Sequence, residues 1–236
     1  MPPRPGPQTV LIIPTLNEED SISRLLSEIP RDLIDRIIVV DGGSKDGTVG
    51  LAKAAGADVL SVGRGYGRAC LTAAQAASEA DILVFMDGDG ADDPALISAL
   101  ANPIRNGAQD FVIGSRTRGR AAPGSLAWHQ RLAGHGLGFA MRVLYGVGYT
   151  DMCAFRAIRR EALLRLGMHE MTYGWNLEMQ MRAAGAGLRV LEIPVDNRER
   201  IGGTSKVAGS VRGSLKAGAK IISTFVRLAL ARSAAA

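Results

Sequence analysis

The residues best suited to chemistry are acidic and closely spaced. Asp87 and Asp89 are separated by one glycine in Phe85-Met86-Asp87-Gly88-Asp89-Gly90. In extended backbone, residues two apart point to the same side. Two carboxylates so placed suit a hard divalent cation, Mg²⁺ or Mn²⁺, which takes oxygen ligands. Such a cation offsets charge on a departing diphosphate. The same run also reads as an acidic turn, in which Asp92 or Asp93 caps a helix opening at Pro94.

Other polar clusters accompany it. Pro14-Thr15-Leu16-Asn17-Glu18-Glu19 follows an apolar run, with Asn17 or Asp20 as candidate helix caps. Asp41-Gly42-Gly43-Ser44-Lys45-Asp46-Gly47-Thr48 is a glycine-rich turn ending in a cap, and Asp41 is placed to accept hydrogen bonds from a base or ribose. Gly63-Arg64-Gly65-Tyr66-Gly67-Arg68 has the GxG spacing but lacks the acidic residue of a dinucleotide fingerprint. The sequence contains no Walker A, HExxH or GxSxG motif. Basic residues gather later: Arg116, Arg118, Arg120, Arg131, Arg198, Arg200 and Lys206. Arg116 directly follows an apolar run, and its planar donors suit phosphate oxygens. His129, His135 and His169 are scattered and have no metal-ligand spacing.

The elements that must carry these residues alternate. Strands are expected at Thr9–Pro14, Ile34–Val40, Asp58–Val62, Ile82–Met86 and Phe111–Gly114. Helices are expected around Asp20–Ile29, Lys45–Ala55 and Gly65–Glu79, and after Pro94. Short apolar runs with helices between them predict an α/β fold, with a mostly parallel sheet covered on both faces. Ligands of such sheets bind at the carboxyl ends of the strands, where Thr15–Glu18, Asp41–Asp46, Asp87–Asp93 and Ser115–Arg118 fall. The second half is less regular. It predicts helices at Ser125–Tyr145 and Trp175–Ala184, strands at Asp151–Ile158 and Leu188–Val195, and a loop at Gly202–Lys206. Val207–Arg232 has a helical period. Val211, Leu215, Ile222 and Phe225 share one face, and Arg212, Lys216 and Lys220 recur every fourth residue.

Composition bounds the partners. The chain has 236 residues, 47% hydrophobic and 22% charged, which excludes disordered, collagenous and disulfide-rich classes. A net charge of +5 favours anionic partners. Aromatics make up only 5%, too few for base-stacking platforms, so nucleic acid is not an expected partner. Cys70 and Cys153 are expected to be reduced thiols of a cytoplasmic protein. Met1–Pro7 reads as a disordered tail without the apolar region of a signal peptide. No apolar run reaches the roughly 18–20 residues of a membrane span. The expected organisation is one catalytic domain over 8–206 and an amphipathic helical segment over 207–236, peripheral on the inner membrane face at most.

Taken in order, the motifs resemble family 2 glycosyltransferases of the GT-A fold, in particular dolichol-phosphate mannose synthases and bacterial polyprenyl-phosphate relatives. The segments that carry the resemblance are IPTLNEED (13–20), VVDGGSKDGT (39–48), FMDGDGADDP (85–94), VIGSR (112–116), DMCAFRAIRR (151–160), YGWNLEMQMRA (173–183) and EIPVDNRERIGGTSK (192–206). The resemblance implies an inverting, metal-dependent transfer of a sugar from a nucleotide sugar to a polyprenyl phosphate. GDP-mannose is the first donor it suggests and UDP-glucose the second. A soluble acceptor, or a non-catalytic nucleotide-sugar-binding module, is the alternative.

The resemblance also assigns residues. Pro14, Thr15, Glu18 and Asp41 would hold the nucleotide. Asp87 would lie near ribose and sugar and share a Mg²⁺ or Mn²⁺ with Asp89, its chief ligand. Arg116 and Arg131 would meet phosphates, and Arg200 and Lys206 would close over the diphosphate. Some relatives place a glutamine two residues after the second aspartate; here Ala91 stands there and cannot ligate. A lipid-phosphate acceptor is already an anion and needs no general base. Glu178 is the candidate if one is needed, and a structural glutamate otherwise.

Overall fold

The computed structural model describes residues 6–120, 128–202 and 211–233, with side chains at 6–120, 136–202 and 218–232. Most of the expected tail and the GGTSK loop therefore lie outside the described residues. So do Lys206 and the side chains of Arg131, Arg212, Lys216, Val211 and Leu215.

The first apolar run becomes an interior strand of the sheet. Strand β1 (Thr9–Thr15) pairs in parallel with β2 (Arg36–Asp41) on one side and β4 (Ile82–Phe85) on the other. Val10, Leu11, Ile12 and Ile13 are fully buried, because helices cover both faces of the sheet. Burying each such side chain contributes about 1.5–3 kcal/mol. Strand β3 (Asp58–Ser61) extends this half in parallel beyond β2. The whole sheet has seven strands in the order β3-β2-β1-β4-β6-β5-β7, where β5 is Phe111–Ser115, β6 Arg156–Arg159 and β7 Val190–Pro194.

The covering helices follow their apolar spacing. Helix α1 (Glu19–Glu28) buries Ile22, Leu25 and Leu26, and α4 (Ile97–Arg105) buries Ile97, Leu100, Ala101 and Ile104. Both sets follow the i, i+3, i+4 pattern of a helix face. Between them in the chain lie α2 (Thr48–Ala54) and α3 (Tyr66–Ala76). The small buried face of α3 (Ala69, Cys70, Ala73 and Ala74) lets it pack against β1 and β2. The second half supplies α5 (Trp128–Tyr145), α6 (Arg160–Arg165), α7 (Trp175–Gly185) and α8 (Val211–Ser233).

Two expectations need correction. The strand expected over Asp151–Ile158 is only β6, and it runs antiparallel between β4 and β5. Residues before it satisfy their backbone with side chains instead of a ladder. Glu192 Oε1 accepts the Thr150 and Asp151 N–H groups at 2.8 and 3.2 Å, and Asp151 Oδ1 accepts that of Met152 at 2.7 Å. Ile222 does not share the buried face of α8, being 66% exposed. Ile221, Phe225 and Leu228 pack on the core there, and Thr224 is buried.

Candidate active site

The carboxyl ends of β1, β2 and β4, the turn that follows β3, the start of α7 and one face of α8 surround a cleft of about 990 Å³. Its loops are pinned to one another before any ligand arrives. Asn17 adopts φ 52° and caps no helix. Its side chain accepts the Lys45 N–H at 2.9 Å, and its own N–H donates to Ser44 Oγ at 2.8 Å. Asp41 folds back on its own turn, accepting the N–H groups of Gly43 and Ser44 at 2.9 and 3.0 Å. It does not itself line the cleft, whereas the adjacent Gly42 does. Pro14, Thr15 and Glu18 do line the cleft, and Thr15 Oγ1 is buried without a partner.

The acidic loop leaves β4 beneath this wall. Gly88 lies so close to β1 that a Cβ there would sit 2.8 Å from Thr15 Cγ2. Asp87 and Asp89 line the cleft, while Asp92 is buried behind them and accepts the Asp87 N–H at 3.3 Å. Asp93 takes the capping role, accepting the Ala95 N–H at 3.0 Å at the head of a 3₁₀ turn, Pro94–Leu96. Burial and the neighbouring Asp89 charge push Asp87 up to about 6. Burial, then Asp87 and Asp89, push Asp92 up to about 8. This loop is short of positive charge.

A divalent cation fits that deficit. The donors are carboxylate oxygens, as hard cations require. Among the described residues no three His, Cys, Asp or Glu side chains converge on one point. Asp87 and Asp89 would therefore hold the ion with diphosphate oxygens and water completing its shell, the usual arrangement for Mg²⁺. Ala91 supplies its N–H to Asp89 Oδ1 at 2.9 Å, so it orients this carboxylate without ligating.

The expected cations divide. Arg200 lines the cleft and meets Asp89 Oδ2 at 2.6 Å. Arg116 lies off the cleft, held by Asp151 through Nε and Nη2, both at 2.8 Å. Burial works against the Arg116 charge, but the Asp151 bonds outweigh it and hold its pKa above the ordinary arginine value. From there Arg116 lowers the pKa of Asp87 and of Asp92 through space. Arg118 is tied to Glu192, and Arg198 to Glu28 and Asp93. Arg131 and Lys206 fall outside the described side chains.

Glu178 does not face the cleft. It is fully buried on α7 and accepts the N–H groups of His169 and Glu170 at 3.0 and 2.6 Å and Arg182 Nε at 2.9 Å. The geometry gives it the structural role and no acceptor to deprotonate. Tyr66, Tyr173, Asn176 and Lys220 also line the cleft, although the sequence assigns none of them a role there. Tyr173 and Asn176 fall inside the quoted YGWNLEMQMRA segment, and Lys220 in the basic period of α8. Nothing local in the sequence turns any of them toward a cleft.

The comparisons with known proteins agree with this architecture. The family model described as "Glycosyl transferase family 2" matches residues 10–167. An uncharacterized glycosyltransferase of Mycobacterium tuberculosis is 37% identical over 212 residues, 89% of this chain and 94% of the relative. The polyprenol monophosphomannose synthase of Mycolicibacterium smegmatis is 32% identical over 222 residues, 88% and 83% of the two chains. Among solved structures, glucosyl-3-phosphoglycerate synthase from Mycobacterium tuberculosis superposes with a TM-score of 0.77 at 24% identity, over 95% of this chain and 80% of that one. It shares the fold, and it has also been solved with Mn²⁺, UDP-glucose and glycerol 3-phosphate. The chain belongs to glycosyltransferase family 2, with a GT-A fold, and is an enzyme that transfers sugar from a nucleotide sugar.

Proposed function

We propose that the enzyme moves a hexose, with inversion, from a nucleoside-diphosphate hexose to a polyprenyl phosphate. The observation that carries the acceptor class is the distribution of charge in the cleft. Among the described residues, the three lining carboxylates (Glu18, Asp87 and Asp89) belong to the β1 and β4 loops. The wall made by α7, α8 and the segment before α7 offers Thr172, Tyr173, Asn176, Lys220 and Ser223, none of which is a carboxylate base. Such a wall suits a nucleophile that is already an anion, and a phosphate is one.

In this reading Pro14, Thr15, Glu18 and the Asp41 turn hold the nucleotide, and Asp87 and Asp89 hold Mg²⁺ or Mn²⁺. The cation supplies charge neutralisation of the leaving diphosphate. Arg200 faces the same diphosphate, and Arg116 tempers the acidic loop from below. Arg131 and Lys206 serve as phosphate ligands on the strength of the sequence alone. The name of the polyprenol relative favours mannose as the sugar. No described helix is long and apolar enough to cross a membrane. Helix α8, which walls the cleft, also exposes Ile222, Val226 and Leu230 at four-residue spacing. That stripe suits a helix lying in a lipid interface, where a polyprenyl phosphate resides.

The test is a donor panel including GDP-mannose and UDP-glucose, with Mn²⁺ or Mg²⁺, followed by nucleoside diphosphate release with and without a short polyprenyl phosphate. Release that needs both lipid and metal is the expected result. Release driven equally by a small phosphate ester would move the acceptor to the soluble class, and donor binding without release would leave a binding module. Asp89→Asn is expected to reduce turnover by about 10²–10³-fold, the scale of losing a group that stabilises developing charge.

A further inference from the structure

The segment after β7 crosses directly over the acidic loop. Arg198 N–H donates to the Ala91 carbonyl at 2.9 Å, and Ile201 N–H to the Asp89 carbonyl at 3.1 Å. Asn197 forms a β-bridge with Asp92. Ile201 rests on Gly90, whose φ of +76° and lack of a side chain allow that approach. Arg198 fastens the strap further, to Asp93 at 2.5 Å and Glu28 at 2.9 Å.

The strap delivers Arg200 to Asp89. Both oxygens of this buried carboxylate are then engaged: Oδ1 by the Ala91 N–H and Oδ2 by the guanidinium at 2.6 Å. A hard cation must approach the same carboxylate to about 2.0–2.6 Å. A guanidinium already in contact and a divalent ion at that distance repel strongly in a partly dehydrated cleft. Of the two arginines that act on Asp87, Arg116 is locked to Asp151 by two hydrogen bonds, whereas Arg200, among the described residues, pairs with Asp89 alone. Arg200 is the one free to change partner.

We propose that Arg200 is the resident counter-ion of Asp89 in the cation-free enzyme. Asp89 exchanges it for the divalent cation, and the exchange releases Arg200 and its strap to meet the donor diphosphate. The proposal rests on the reading of Asp89 as a cation ligand. It gives the strap a second role beyond covering the loop. Arg200 keeps Asp89 oriented while the site waits, and its release makes diphosphate capture depend on the cation being in place.

The test uses Mn²⁺ with no donor present. Free Mn²⁺ is followed by electron paramagnetic resonance during titration of the wild type and Arg200→Gln, with thermal melts confirming that both are folded. Arg200→Gln should bind Mn²⁺ about tenfold more tightly, because the competing ion pair is gone. A second readout needs no Arg200 variant: tryptic cleavage after Arg198 and Arg200, followed by mass spectrometry. Mn²⁺ should speed this cleavage several-fold in the wild type, and Asp89→Asn should be cleaved quickly with or without Mn²⁺. Unchanged or weaker Mn²⁺ binding in Arg200→Gln overturns the exchange. Tighter binding with no Mn²⁺ effect on wild-type cleavage also overturns it, since simple repulsion would then suffice. Failure of the wild type and Arg200→Gln alike to bind Mn²⁺, with or without UDP, would instead remove the cation reading and the exchange with it.

Discussion

Glu178 shows how one residue type serves two opposite purposes in this protein. The carboxylates of Asp87 and Asp89 border the cleft, whereas Glu178 spends its oxygens on two backbone N–H groups and Arg182. Replacing it with glutamine leaves the half-buried Arg182 without its charge partner and puts an amide where two backbone N–H groups need an acceptor, at a cost of about 1–3 kcal/mol. Glu178→Gln should therefore lower the melting temperature and leave the pH profile of kcat/KM in place. A general base would behave in reverse, with full stability, a large fall in kcat/KM and loss of the acidic limb that its protonation would set. Asp89 and Arg200 belong to the same scale, because a single 2.6 Å contact decides what else Asp89 can hold.

At the scale of elements, the second half of the sheet is joined by side chains as well as ladders. Asp110, just before β5, accepts from Arg159 at the end of β6 at 3.1 Å, and from Arg189, just before β7, at 2.9 and 2.7 Å. The Arg189 hydrogen bonds hold the Asp110 carboxyl well below the usual carboxylate range. A depressed carboxylate stabilises the fold above its unfolded pKa, about 3.9, and the contribution is lost as pH falls through the folded value. Asp110→Asn should thus lower the melting temperature at pH 7. The difference from wild type should shrink steadily below pH ~4, as the wild type loses the same ion pairs. A constant difference across that range would mean that packing, not charge, joins these strands.

For the whole molecule, the proposed polyprenyl phosphate acceptor asks for a surface that brings the cleft to a membrane. Helices α5 and α8 contain seven lysines and arginines and no acidic residue. They meet at their ends, where Arg232 lies 4.4 Å over the Tyr145 ring and donates to the Leu144 carbonyl. Both carry exposed apolar side chains: Phe139 and Val143 on α5, and Ile222, Val226 and Leu230 on α8. Replacing Ile222 and Leu230 with serine should weaken co-sedimentation with anionic vesicles and spare turnover on a short, dispersed polyprenyl phosphate. Added salt should weaken vesicle binding of the wild type, because the basic residues contribute through a screened field. Vesicle binding that ignores both changes would place the lipid contact elsewhere.

What the sequence determined by itself is local. Apolar runs such as Val10–Ile13 admit only buried strands, and the polar residues that end them fall at the carboxyl edge because parallel strands share a direction. The order of the motifs was enough to indicate the family, the α/β sheet and the acidic pair. Tertiary structure decided the pairings. Asp151 claims Arg116 from 35 residues away, and the strap brings Arg200 to Asp89 across the chain. A count of cations by itself does not say which of them a carboxylate already holds. The same holds for Glu178, whose helix period is legible while its partners are not. Strand and helix signals arise from neighbours in sequence, whereas a charge is spent on whichever partner the completed fold places within hydrogen-bonding distance.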